Sequence, residues 1–570
     1  MKCIQGLIGC VMYGCSFLSL AQGGDVLLAG KDNTNTVSQL QLKADNIQLR
    51  DDGSFEHGFL LDTPSFVNLE MGNQDVELFL CPGDSLFVSI DATGLQFSGK
   101  GAEINTFLVD HRKRAQDNSE FLDEQNEKVF TRTPQAFTAI IDSLEHLETK
   151  LFDAFVKDGS LVSIHFKERI YTDITFRNRR YRLLYPQNYH RHHEYREVAP
   201  VASTYLEEVM QGSFDDSAMI KSSHYLRCVN FYLDLLATGP YKMKHPYHAP
   251  VKRMDARYNA IIDLGAQEAI QDALIKAHFD QHIWTYRVEA LAKSYDRAKL
   301  DVKDPSIRNE IKNLMDVGHN RRNDADTVLL YKTTSEAKLY AHVFLPKDKS
   351  SLKPAHLFFH GGGWAMGMPE WSYGACKEAA VEGRVGITFD YRLRNVHGAT
   401  IKDAVGDALA AVAWVRENAP QLGIDIRKIL VEGFSAGGHL ALATAMVDQK
   451  EFGIPEKYSA RPDALILGST PYDVTHRDVY DVPYDAKEIS PLFLVQEGLP
   501  PILAFHGEDD TMVKFSEFEA FWNKMEGTSN TFHYRSFPNA GHFFNGGAAG
   551  DRALRQRMQD TFLIKNGFLD

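Results

Sequence analysis

The sequence predicts an α/β protein: a doubly wound, mostly parallel sheet in the C-terminal part, preceded by an antiparallel β-sandwich-like domain and a helical domain. Three observations carry this. Short apolar runs alternate with helix-periodic segments beyond residue 330, as in parallel strands joined by crossover helices. Residues 25–100 hold short apolar or alternating stretches broken by turn-forming clusters. Between the two lie long segments with polar and aromatic residues at helical spacing. A chain of 570 residues with 44% apolar content is too long for one core and is expected to bury several.

Residues 1–21 read as a secretory signal, with Lys2, an apolar stretch through Leu20, and small residues in Ser19-Leu20-Ala21 at the cleavage positions. An exported protein, periplasmic or at the cell surface, is therefore expected. Leu7-Ile8-Gly9-Cys10 and Gly14-Cys15 resemble lipobox fragments, so a lipid anchor is the second reading of the leader, disfavoured by how few residues precede Cys10. Past the leader only Cys81, Cys228 and Cys376 remain, an odd and scattered set that implies neither a disulfide framework nor a metal cluster. A net charge of −14 and a pI near 5.9 argue against nucleic acid as a partner. No second apolar segment is long enough to span a membrane.

Residues 22–103 carry the β signature in Val37 to Leu42, Phe59 to Leu61, Val76 to Leu80 and Leu86 to Ile90, interrupted by Asp51-Asp52-Gly53 and Pro82-Gly83-Asp84. Phe79 to Leu86 followed by Phe97 to Asn105 resembles the β-sandwich accessory module that precedes thioredoxin-like domains in some exported bacterial proteins, yet no Cys-x-x-Cys follows here. Residues 104–320 are expected to be helical, Ala136 to Phe155 and Ala266 to Tyr295 being long periodic segments. His190-Arg191-His192-His193 reads as a solvated loop between helices, because consecutive histidines do not converge on one metal ion without partners. The stretch 298–325, rich in Lys, Asp, Arg and Asn, reads as a charged connection into a last domain over 321–570.

In that last domain strands are expected at 339–345, 356–360, 385–391, 429–433, 464–469 and 501–506. Lys402 to Asn418 is a helix between two of them, with Ala404, Val405, Ala408, Val412 and Val415 on one face. Its chemistry-bearing residues all follow strands. His360-Gly361-Gly362-Gly363-Trp364 comes directly after the apolar Leu357-Phe358-Phe359, and three successive glycines leave backbone N–H groups bare to face a developing oxyanion. Gly433-Phe434-Ser435-Ala436-Gly437 follows Ile429-Leu430-Val431 and opens a small-residue helix, the context a strained nucleophile turn requires. Either motif alone is weak; the pair, both after strands, is strong. Acids at Glu508, Asp509 and Asp510 follow the strand Pro501 to Phe505, and His542 lies in the turn-rich loop after Phe532 to Phe537. The order serine, acid, histidine is that of an α/β-hydrolase.

On His360 to Trp364, Asp390 to Leu393, Gly433 to His439, Pro500-Pro501, His506-Gly507 with Asp510 and Val513, and Gly541 to Phe544, the chain resembles the hormone-sensitive-lipase and carboxylesterase branch of that fold. The Gly-x-Ser-Ala-Gly-Gly-His turn is most similar to the bacterial feruloyl- and acetyl-esterase subgroup. The resemblance covers residues 322–570 and departs at Phe434, where the branch often has Asp, and at Arg394-Asn395-Val396 after Leu393, which weakens a lipid-esterase reading. It implies Ser435 as nucleophile, His542 as general base and Asp510 as the acid that orients it, the last chosen over Asp509 by the His-Gly-x-x-Asp-x-x-Val spacing. It also implies an oxyanion hole of the Gly362, Gly363 and Ala436 N–H groups; Phe543 and Trp364 are expected at the substrate, Trp364 having a plain core residue as its other reading, and no metal or cofactor is expected.

The expected activity is hydrolysis of an ester borne by a small molecule or a carbohydrate. A serine peptidase of the same fold and a non-catalytic surface-binding protein with a vestigial hydrolase domain are the alternatives. Among individual residues, Ser435 as a simple helix cap, Asp473 as the acid, and His439 and His506 as packing histidines are the competing readings. Nothing in the first 300 residues identifies a partner for them.

Overall fold

The computed structural model describes residues 25–34, 37, 39–42, 45–71, 74–91, 94–158, 162–193, 199–238, 253–475, 477 and 484–569. The leader at residues 1–21 lies outside the described residues. The chain groups into two compact units, Met1–Arg182 with Lys221–Tyr225, and Leu183–Ile220 with Leu226–Asp570.

The first unit begins with eight strands: β1 (Asp25–Asp32), β2 (Leu40–Leu42), β3 (Asp45–Ile47), β4 (Ser54–Leu60), β5 (Ser65–Met71), β6 (Gln74–Leu80), β7 (Ser85–Asp91) and β8 (Gly94–Lys100). They form two four-stranded sheets, ordered β4-β1-β7-β8 and β3-β2-β5-β6. Every pairing is antiparallel except β1 with β7. Alternate side chains turn inward, so Val26 and Leu28 of β1 meet Leu69, Leu78, Leu86 and Val88 in one core. Long helices follow at Ala102–Glu124 and Pro134–Asp158, and a third, Ile164–His192, carries the chain from the first unit into the second. Here the expectation of a loop at His190-Arg191-His192-His193 is corrected: the first three residues form the last turn of a helix. Basic side chains there face the partial negative charge of the helix end, which favours the helix that their polarity alone did not suggest.

In the second unit a further difference concerns 298–325. Instead of a connection it holds the helices Ala292–Asp301 and Pro305–Arg322. Asp304 caps the second by accepting from the Ser306 N–H, Pro305 occupies its first turn, and Ile311, Met315 and Gly318 form its buried face. The charges that suggested a linker lie on the solvent side of an amphipathic helix. The compact unit accordingly reaches back well before residue 321.

The sheet that follows has eight strands: β9 (Thr327–Thr333), β10 (Lys338–Phe344), β11 (Lys353–Phe359), β12 (Val385–Phe389), β13 (Ile424–Phe434), β14 (Ala464–Gly468), β15 (Ile502–Gly507) and β16 (Phe532–Phe537). Their order is β16-β15-β14-β13-β11-β12-β10-β9. The pairings of β10 with β9 and β12 are antiparallel, and the rest are parallel. This is the mostly parallel doubly wound sheet expected, with β9 as an unanticipated edge strand. Burial on both faces explains the unbroken apolar runs of β11, β12 and β15. The helix Ile401–Leu422 is fixed at its start by a capping box between Thr400 and Asp403, and buries Ala404, Val405, Ala408, Val412 and Val415. Helix Ala436–Met446 is buried on all sides, which its run of small and apolar residues permits. Because β12 lies on one side of β11 and β13 on the other, the loops leaving β11 and β13 meet at the carboxyl edge, where open α/β sheets build their sites.

Candidate active site

The turn between β13 and helix Ala436–Met446 holds Ser435 at φ 53°, ψ −125°, a conformation an L-residue adopts only under constraint. The glycines on either side explain how it is tolerated. A Cβ on Gly433 would stand 2.1 Å from the Gly437 carbonyl oxygen, and one on Gly437 would stand 2.0 Å from that of Phe359. The Ser435 N–H is tied to the Gly468 carbonyl at 2.8 Å. Although Ser435 precedes the helix, its side chain makes no cap hydrogen bond. The hydroxyl instead lies 3.0 Å from His542 Nε2.

His542 sits on the loop after β16, and its Nδ1 is 2.7 Å from Asp510 Oδ2. With Nδ1–H donating to the carboxylate, Nε2 is left as the acceptor for the Ser435 hydroxyl. Ser469, at φ 45° just past β14, donates its hydroxyl to the His542 carbonyl at 2.8 Å and so anchors the loop. Asp510 is 5% exposed, while Glu508 and Asp509 face solvent. Its Oδ1 accepts the Met512 and Val513 N–H groups at 2.9 and 2.8 Å. Burial pushes its pKa up, but hydrogen bonds from His542 and these two amides outweigh burial and hold it below the ordinary carboxylate value.

The glycine run forms a tight turn in which the Ala365 and Met366 N–H groups both donate to the Gly362 carbonyl, at 3.1 and 3.0 Å. Gly362 takes φ +115°, and a Cβ there would meet the Met366 oxygen at 2.0 Å. A Cβ on Gly361 would come within 3.4 Å of the Ser435 Cβ, so the turn runs alongside the serine. Among the described residues the Gly362 and Gly363 N–H groups donate to no protein acceptor. Ala436 begins the helix, where an N–H has no partner within the helix.

The remaining expected residues separate clearly. Phe543 is 68% exposed, stacks on Phe434 at 5.7 Å and meets the His542 ring edge-on at 5.0 Å. Trp364 is buried, its ring set edge-on against His439 at 5.2 Å. His439 donates from Nε2 to the Ile489 carbonyl at 2.8 Å, and burial lowers its pKa to about 4, so it is a neutral packing histidine. His506 bonds the Val513 carbonyl at 2.9 Å, and burial lowers its pKa also. Asp473 turns to its own loop, accepting from the Thr475 amide and hydroxyl. Sequence reasoning missed Ser469, whose only signal is a small polar pair, Ser469-Thr470, directly after a strand.

Known proteins resemble the C-terminal part of the chain. The BD-FAE family model matches residues 341–476. Esterase LipC of Mycobacterium tuberculosis is 29% identical over 216 residues, 34% of this chain and 53% of that protein. Carboxylesterase NlhH of the same species is 34% identical over 114 residues, 20% of this chain and 35% of that one. Among solved structures, the propionate-bound thermophilic esterase Est2 of Thermogutta terrifontis is 32% identical and covers 44% of this chain and 96% of its own, with a TM-score of 0.40. The chain thus spans about half the length of LipC and about a third of NlhH. The C-terminal part of the chain is similar to α/β-hydrolases of the hormone-sensitive-lipase and carboxylesterase-like kind.

Proposed function

We propose that the chain is an exported serine carboxylesterase that hydrolyses short acyl esters, carried by small molecules or carbohydrates, through an acyl-enzyme on Ser435. The observation that carries this reading is the continuous line from Asp510 through His542 to Ser435, at 2.7 and 3.0 Å. Ser435 Oγ attacks the carbonyl carbon as its proton passes to His542 Nε2, and the Asp510 carboxylate stabilises the imidazolium. The carbonyl oxygen becomes an anion facing the N–H groups of Gly362, Gly363 and Ala436, each such donor lowering a barrier by about 3 kcal/mol. Collapse breaks the bond to the alcohol, which leaves with the proton from Nε2. Water then attacks the acyl carbon as it gives a proton to Nε2, and collapse breaks the bond to Ser435 Oγ, which takes that proton back as the acid leaves.

A short-chain preference rests on the segment from Thr475 to Glu488, which is polar and acidic where a long-chain esterase would need an apolar lid. The exposed Phe543 beside His542 is the surface a substrate would meet. Carbohydrate-borne esters are named because the nucleophile turn resembles that of feruloyl and acetyl esterases, and export because residues 1–21 read as a leader. A panel of p-nitrophenyl esters of rising chain length, beside acetylated and feruloylated oligosaccharides, tests all of this except export. Turnover should be highest on short chains, and a preference for acyl chains beyond about eight carbons would contradict the reading.

A further inference from the structure

The turn at Gly362-Gly363 is braced by a segment far outside the strands that carry the site. Between helix Glu268–His282 and the short helical turn Val288–Leu291 runs the loop 283–287, anchored by buried Ile283, Val288 and Leu291. Four consecutive residues of this loop reach the surroundings of the glycine turn. The Trp284 carbonyl accepts from Trp371 Nε1 at 3.1 Å, and the Thr285 carbonyl accepts the Gly367 N–H at 3.0 Å. The Tyr286 hydroxyl accepts from Asn395 Nδ2 at 3.0 Å, and the Arg287 guanidinium is paired with the buried Asp390 carboxylate.

Three of these partners lead back to the glycine run, Asp390 through its neighbour Tyr391. A Cβ on Gly367 would meet His360 Nδ1 at 2.3 Å and the Gly361 oxygen at 2.7 Å, so Gly367 lies directly on the start of the turn. The Asn395 N–H donates to the Ala365 carbonyl at 3.3 Å, and its neighbour Arg394 donates to that of Trp364 at 2.9 Å. Tyr391, next to Asp390, donates its hydroxyl to the His360 carbonyl at 2.9 Å. Behind this layer is a cleft of about 490 Å³, lined by Tyr286, Arg287, His360, Gly367, Asp390 and Tyr391 among others. His360 and Gly367, which flank the glycine turn, line this cleft and lack close packing on that side, where hydrogen bonds hold them.

We propose that loop 283–287, part of the helical region and not of the hydrolase sheet, is a positioning element that holds the Gly362 and Gly363 N–H groups where the oxyanion forms. This rests on the carboxylesterase reading given above. Tyr286 and Arg287 are positioning residues: they touch the supports of the turn and not the reacting atoms. A loosened brace weakens contacts made only in the transition state, because a displacement of about 1 Å at such donors is costly to rate while ground-state binding hardly changes.

The test uses the full chain with Tyr286→Phe, which removes one acceptor, and Arg287→Gln, which removes the ion pair. Active sites are counted by burst titration with an organophosphate, and kcat and KM are measured on p-nitrophenyl acetate. The Ki of a short trifluoromethyl ketone, which mimics the tetrahedral adduct, is measured beside them. Per titrated site, kcat should fall about threefold in Tyr286→Phe and about tenfold in Arg287→Gln, with Ki rising in parallel and KM within about twofold. A purely structural role would lower the number of titratable sites and leave per-site kcat and Ki unchanged, which overturns the proposal. If Arg287→Gln does not fold, Tyr286→Phe decides alone. An inert wild-type chain would overturn the carboxylesterase reading and this proposal together; an active wild type with unchanged variants would overturn only this one.

Discussion

Ser435 is held in a conformation that costs on the order of 1–3 kcal/mol, and the surrounding hydrogen bonds and glycines are arranged to keep it there. That strain aims its hydroxyl at His542 in place of the helix N-terminus it would otherwise cap. Ser435→Ala should therefore leave a folded protein and lose several powers of ten in kcat on p-nitrophenyl acetate, since what survives comes from binding and the oxyanion donors alone. Asp510→Asn should be nearly as severe, because an amide donates where His542 Nδ1–H must donate and so favours the wrong tautomer. Asp509→Asn, at an exposed position, should stay within about twofold of wild type, and parity between the two acid variants would refute the assignment. At this scale the sequence was informative where backbone sterics restrict residue choice, as at the two glycine motifs. It was silent on Ser469, because a serine that anchors a loop through one hydroxyl leaves no pattern.

Among the elements, the two turns at the sheet's carboxyl edge depend on glycine for different reasons, and the close approaches separate the glycines that matter. Gly433→Ala and Gly437→Ala would drive a methyl to within 2.1 and 2.0 Å of backbone oxygens that cannot yield, so both should abolish activity and lower thermal stability sharply. Gly374, inside helix Tyr373–Val381, has nothing within 4 Å of where a Cβ would go. Gly374→Ala should accordingly gain about 0.5–1 kcal/mol of stability with activity unchanged. Chemical denaturation of the three variants checks both outcomes, and a tolerated Gly437→Ala would show that the turn is less closed than described. The parallel strands were legible because burial on both faces leaves continuous apolar runs. Strand β9 and helix Pro305–Arg322 were not, because an edge strand and a surface helix carry their polar residues on the outer face.

At the scale of the whole molecule, buried histidines make acid the vulnerable direction. Burial lowers His111 to about 3 and His360 and His439 to about 4, against an ordinary 6.5. Each is neutral when folded and takes up a proton on unfolding, so its contribution is present above pH 6.5 and is lost as pH falls towards 4. The denaturation midpoint should drop steadily between pH 7 and pH 4.5, and a midpoint unchanged over that range would contradict this. Length and composition announced several cores, but the division of the chain was poorly legible, since loop 283–287 reaches the hydrolase sheet through polar links such as Arg287 with Asp390, which leave no periodic signal. A chain beginning at residue 318 lacks loop 283–287 and should therefore hydrolyse small esters more slowly than one beginning at residue 226; equal rates would show the earlier helices to be dispensable.

The claim on which everything else rests is that Ser435 is the atom-level nucleophile. Incubation with diethyl p-nitrophenyl phosphate, followed by intact-mass and peptide-mass analysis, tests it directly. The expected result is about one p-nitrophenolate released per chain, a single diethylphosphoryl adduct on Ser435, parallel loss of p-nitrophenyl acetate hydrolysis, and no labelling of Ser435→Ala. An adduct on another residue, or ester hydrolysis that survives complete labelling, would contradict it.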